Sequence, residues 1–214
     1  CVDTNGSTVA PARRSRSTPT WSVSRRAGDV APAKSPTNTV AAQAPTVEWQ
    51  IAAAVLPLPD SMRAGAEVLG HRTAGGPLVQ LRAGTNPMIC LADDPSVEGY
   101  AAHCYHKSLA AFMERGRSLR AAGITKRAAV DSARLAEITA GTLKMPATAA
   151  ALYSLYADSV NFDPMAGRPK GASKLLSFYI PYATEASTGI SAMPLTDQPW
   201  LMYPGKPWAH LMIQ

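Results

Sequence analysis

Met88-Ile89-Cys90-Leu91-Ala92-Asp93-Asp94-Pro95 and, a few residues on, Ala102-His103-Cys104-Tyr105-His106-Lys107 form the stretch on which the reading of this chain turns. Met88 to Leu91 is a short apolar run with Asn86-Pro87 before it and Asp93-Asp94-Pro95 after it. Turn-forming residues on both sides of such a run predict a buried strand. From Tyr105 onward, Tyr105, Leu109, Phe112, Gly116 and Leu119 recur at helical spacing and predict one buried helix face. Arg115, Arg117 and Arg120 fall largely off that face, and Gly123 is the expected stop. The expectation is a buried strand tied to the start of a helix, the hinge of an α+β domain.

This stretch also holds two of the three cysteines. Cys90 and Cys104 are expected to pair if the chain is exported, and Cys1 is expected to stand apart from them. Closing a loop of this size stabilises a fold by about 3 kcal/mol in the chain-entropy model. In a reducing compartment the same residues would be two separate core thiols.

The 214 residues suffice for one sizeable domain. Hydrophobic content of 46% suits a globular protein, while 18 prolines is high. The longest apolar run, Ile51 to Leu58, is broken by Pro57 and is too short for a membrane helix. The net charge is +6. Arg13, Arg14, Arg16, Arg25, Arg26 and Lys34 stand against only Asp3 and Asp29 in residues 1–47, so most of the excess lies there. Ala10 to Val47 is rich in Pro, Ser, Thr, Ala and Arg and has no sustained period. Such a segment cannot bury enough apolar surface to offset its ordering entropy. We expect an extended, basic, low-complexity tail over 1–47 that docks along other protein subunits through those six basic residues. The alternative is a solvated linker.

The globular domain is expected over 48–214. Trp49 to Leu56 predicts a strand, with Ala52, Ala53 and Ala54 leaving a helix open. Ala66 to His71 and Leu78 to Arg82 flank the turn signal Thr73-Ala74-Gly75-Gly76-Pro77 and predict a hairpin. After the helix from Tyr105 to Ala122, a second is expected from Lys126 to Ala140, with Thr125 as N-cap and Gly141 as its stop. Arg134 and Glu137 are expected as an ion pair on its outer side. Ala151 to Tyr156, Lys174 to Tyr182, Trp200 to Tyr203 and Ala209 to Ile213 predict further strands. The class is α+β, a mainly antiparallel sheet with two central helices, preceded by the extended Pro/Ser/Arg-rich tail.

Cys1 followed by the polar stretch Val2 to Thr8 resembles the start of a mature bacterial lipoprotein, which implies lipidation at Cys1. The runs Ile89-Cys90-Leu91-Ala92-Asp93-Asp94, Cys104-Tyr105-His106-Lys107-Ser108-Leu109 and Pro204 to Ile213 are similar to those of uncharacterised bacterial exported proteins. That resemblance implies export and no particular activity.

Chemistry-bearing motifs are sparse. His103-x-x-His106 offers two metal ligands, and Asp93, Asp94, His71 or His210 could complete a set only through the fold. Capping and partly exposed histidines are the competing account. Asp93-Asp94 before Pro95 reads as a turn more readily than as an acid–base pair. Trp200, Tyr203 and Trp208 are a partner or carbohydrate platform if exposed and core if buried. GxSxG, SxxK, GxxxxGK[ST] and GxGxxG do not occur.

The sequence alone therefore points to a non-catalytic, lipid-anchored accessory subunit of a bacterial membrane complex, with electron transport or photosynthesis as the candidate settings. It would sit on the periplasmic side, need no cofactor, touch lipid through Cys1 and bind no nucleic acid. The competing expectation is an exported enzyme or ligand-binding protein, metal-dependent if His103 and His106 acquire further ligands.

Overall fold

A computed structural model describes residues 44–194 and 198–214. The elements run α1 (Val47–Ala54), α2 (Asp60–Arg63), β1 (Glu67–His71), β2 (Leu78–Arg82), β3 (Met88–Leu91) and β4 (Tyr100–His106). They continue as α3 (Ala110–Ala121), α4 (Arg127–Thr139), β5 (Ala150–Ala157), β6 (Ser173–Tyr179), α5 (Glu185–Thr188), β7 (Trp200–Met202) and β8 (His210–Ile213). The eight strands form one sheet in the order β2-β1-β3-β4-β5-β6-β8-β7. Only β1 and β3 pair in parallel. The class is α+β, as expected.

Three local expectations are corrected. Residues 47–54 form a helix rather than a strand, because Thr46 caps it by accepting from the Trp49 amide and the alanines favour helix. Its small Ala53 and Ala54 bring it close to the sheet, where Gln50 donates to the His71 carbonyl at 2.9 Å and accepts from the His71 amide at 2.8 Å. Tyr105 belongs to β4, and a short 3-10 turn over Lys107–Leu109 precedes α3. The helical period runs through Tyr105 because its ring packs in the same cluster as Leu109 and Phe112, reaching it from the strand. Finally, Lys126 rather than Thr125 is the α4 N-cap, and it makes no side-chain capping bond.

The disulfide Cys90–Cys104 is present. It joins two directly opposed residues of neighbouring strands, not a strand and a helix. Both half-cystines are fully buried against α1. Alternation along β4 then sorts its side chains. Tyr100, Ala102 and Cys104 face α1, while His103 and Tyr105 face the opposite side, which carries α3 and α4. Beyond α1 the first face continues over Leu176 and Phe178 of β6 and Leu211 and Ile213 of β8, all half-buried. No helix among the described residues is long and apolar enough to cross a membrane.

Candidate functional site

The most structured recess lies between the second sheet face and the α3–α4 pair. Its floor is built by period-two positions of the strands: Leu91, His103, Tyr105, Leu152, Tyr156, Tyr179 and His210. The register places these on one face, since His103 opposes Ser154, Tyr105 opposes Leu152, and Tyr179 opposes His210. The roof comes from Phe112, Met113, Arg117 and Arg120 of α3 and Arg127, Asp131 and Arg134 of α4, with Thr125 between them. Tyr203 and Trp208, from the turn between β7 and β8, close one end. The volume is about 490 Å³, within the range that holds a small organic ligand.

Arg134 is the centre of this arrangement. It is 7% exposed and lies with its guanidinium 3.9 Å from the centre of the Phe112 ring. Its Nη2 donates to the Phe112 carbonyl at 2.7 Å, and Asp131 stands 4.0 Å from Nη1. Gly116 makes this seat: a side chain there would collide with the Arg134 guanidinium. The expected Arg134–Glu137 pair is therefore corrected. Arg134 points inward, and Glu137 instead holds Arg115 of α3, at 2.8 Å from Nε.

Two buried donors in the lining, Arg134 Nε and Trp208 Nε1, have no acceptor within the described protein. Buried polar groups are ordinarily satisfied, and an orphaned one costs about 1–3 kcal/mol, more when charged. Around them stand Arg117, Arg120 and Arg127, with Asp131 as the only carboxylate among the described residues of the lining. Arg117 also donates to the Tyr105 hydroxyl at 3.3 Å. Burial lowers the Arg134 pKa, and the neighbouring Arg120 charge adds to the effect; guanidinium nonetheless stays protonated in proteins. Burial raises the Tyr179 phenol to about 12, so it is a neutral donor. Tyr203 holds a left-handed backbone, φ 56°, which is strained for a bulky residue. Its ring lies 5.2 Å from the Arg127 guanidinium.

His103 and His210 are the other titratable groups of the floor. His103 Nδ1 lies 2.9 Å from Ser154 Oγ, and His210 donates Nδ1–H to the Trp208 carbonyl at 2.8 Å. Burial lowers both below the ordinary 6.5, and the Arg127 charge pushes His210 the same way. They do not form a catalytic couple. Three strand spacings and four residues of register separate them, about 14 Å across and 13 Å along, or about 19 Å in all. A histidine whose folded value lies below its unfolded one binds fewer protons when folded. Its contribution is thus intact above about 6.5 and is lost as pH falls through the window below. The unfolding midpoint is expected to drop between about pH 7 and pH 5 in thermal melts, and His103→Gln with His210→Gln should flatten that slope. A wild-type midpoint that holds level down to the carboxylate range would contradict this assignment.

The remaining sequence candidates are dispersed. His103 and His106 lie on opposite faces of β4, and His106 accepts from the Ser108 amide as a turn cap. Among the described residues no group of three His, Cys, Asp or Glu is placed to hold a metal. Asp93 accepts from the Ala101 amide, and Asp94 accepts from the Gly75 and Ser96 amides, so both act in turns. Burial raises the Asp93 pKa. Trp208 is buried and Tyr203 half-buried, both within the cleft wall. Cys1, Arg13, Arg14, Arg16, Arg25, Arg26 and Lys34 lie outside the described residues.

The cleft arginines were missed from sequence because charged side chains on a helix are read as solvent-facing. One signal was available: Arg127, Asp131 and Arg134 recur at four and three along one side of α4, adjoining the buried Val130. Comparisons with protein-family models, with curated proteins and with solved structures found no match.

Proposed function

We propose that this domain is an extracytoplasmic binding module for a small anionic organic molecule, held in the cleft between the sheet and α3–α4. The observation that carries the reading is the orphaned Nε of buried Arg134, set among three further arginines and a single carboxylate. A low-dielectric recess with a positive excess and unsatisfied donors favours an anion, and its aromatic walls suit an organic body. The buried disulfide is compatible with an oxidising compartment. Binding is favoured over catalysis because the two histidines are far apart and Ser154, the hydroxyl beside His103, is buried and outside the cleft lining.

Thermal melts with small carboxylates, phosphate compounds and amines test this reading. Anions are expected to raise the midpoint and amines to leave it unchanged. Salt at about 1 M should shrink the anion effect. Equal shifts from amines and anions would sink the proposal.

The accessory-subunit reading stands beside it, supported by the basic tail and by the half-buried apolar strip of β6 and β8. In that reading Cys1 carries lipid on the periplasmic side and the tail grips a membrane complex. Intact-mass measurement of the native protein should show acyl mass, and deletion of residues 10–47 should release the folded domain from its assembly. A truncated protein that stays bound with unchanged affinity would remove this reading's main support.

A further inference from the structure

We infer that the charged group the cleft takes is a phosphoryl dianion carried on a flat or apolar body, an inference that rests on the anion-binding reading above. The first ground is charge. Four guanidiniums against the one carboxylate of Asp131 leave an excess that a single carboxylate would only partly neutralise. Asp131 is already shared, lying 3.9 Å from Arg127 and 4.0 Å from Arg134. A phosphate monoester, close to doubly charged at neutral pH, matches the remainder more nearly.

The second ground is direction. A planar carboxylate is met by one guanidinium fork in one plane. Here the guanidiniums come from two helices: Arg117 and Arg120 from α3, and Arg127 and Arg134 from α4. Three peripheral oxygens on a tetrahedral centre can be approached from more than one side at once. The first turn of α4 adds to this. It has no side-chain cap and no acidic residue, and Thr125 and Arg127 at its start both line the cleft. The helix dipole favours an anion at that end. The sequence around it has no phosphate-loop glycines, so the recognition is by side chains on a helix pair.

The third ground is the rest of the recess. Along β5 the lining extends from Leu152 to Tyr156, about 13 Å of strand. That floor continues through Leu91 and the His103 ring, which meets Tyr156 edge-on at 5.5 Å. These are apolar and aromatic surfaces, suited to an organic body and of no use to a free inorganic ion.

Calorimetric titration of the full chain with phenyl phosphate, inorganic phosphate and benzoate separates these terms. Phenyl phosphate is expected to bind about tenfold or more tighter than either of the others, because only it supplies both the dianion and the ring. Arg120→Gln, an exposed change that leaves the core intact, is expected to weaken phenyl phosphate about tenfold while barely moving benzoate. Arg134→Gln should weaken every anion, with circular dichroism and a melt reporting whether it folds. Benzoate binding as tightly as phenyl phosphate, or an Arg120→Gln affinity unchanged for phenyl phosphate, would overturn the phosphoryl assignment and leave an anion site standing. Failure of all three probes to bind the wild-type chain would overturn the anion-binding reading itself.

Discussion

Gly116→Ala is expected to destabilise the domain by about 2 kcal/mol and to weaken anion binding about tenfold or more, against the direction helix propensity sets. In an ordinary helix interior the change gains about 1 kcal/mol, because alanine loses less backbone entropy than glycine. Here the new methyl would occupy the space of the Arg134 guanidinium. Arg134 cannot yield without giving up its bond to the Phe112 carbonyl and its place over the Phe112 ring. A charge-assisted hydrogen bond contributes about 1.5–3 kcal/mol and a desolvated cation–π contact about 2 kcal/mol, so their joint loss outweighs the propensity gain. Denaturant unfolding and calorimetry with phenyl phosphate measure the two effects. The double change Gly116→Ala with Arg134→Ala should be close in stability to Arg134→Ala alone and should not bind, since both lose the same Arg134 contacts and the two costs do not add. A Gly116→Ala protein more stable than wild type would show that Arg134 does not need this seat.

Removal of the disulfide is expected to have the other large effect. Cys90→Ala with Cys104→Ala should lower the unfolding free energy by about 3 kcal/mol, the chain-entropy value for a loop of this length. The bond ties β3 to β4, and β4 carries His103 and Tyr105 into the cleft floor on its reverse face. Loss of the bond should therefore also loosen the cleft, seen as faster amide exchange at β4 and weaker phenyl phosphate binding. Because both half-cystines are fully buried, reductant should act on the native protein only slowly, through opening of the fold. Rapid reduction of the folded protein, or equal stability of the double-alanine variant, would count against this account.

Local chemistry alone determined a good share of the fold. The Thr73 to Pro77 turn sets the β1–β2 hairpin, and the apolar run at Met88 makes β3. Gly123 and Gly141 follow the ends of α3 and α4, both with positive φ. The pairing of Cys90 with Cys104 also followed from the chain. These features depend on neighbours within a few residues or, for the disulfide, on having few partners to choose from.

Tertiary structure decided the rest. Residues 100–106 form a central strand with both faces covered, its side chains buried or half-buried, so no clean polar–apolar alternation marked β4. Trp49 to Ala54 became helical through the Thr46 cap and its packing on the sheet. Above all, the cleft sets the charges of two successive helices against floor residues, from Leu91 to His210, that lie far from them in the chain. Apart from its helical spacing with Arg127 and Asp131, nothing local distinguishes Arg134, which is buried, from Arg115, which pairs with Glu137 near the surface. The difference arises because Gly116 of one helix leaves room, at the crossing with the next, for a guanidinium to lie over Phe112. A charged side chain enters a core only where its neighbours supply that room and those partners, and they come from another element of the fold.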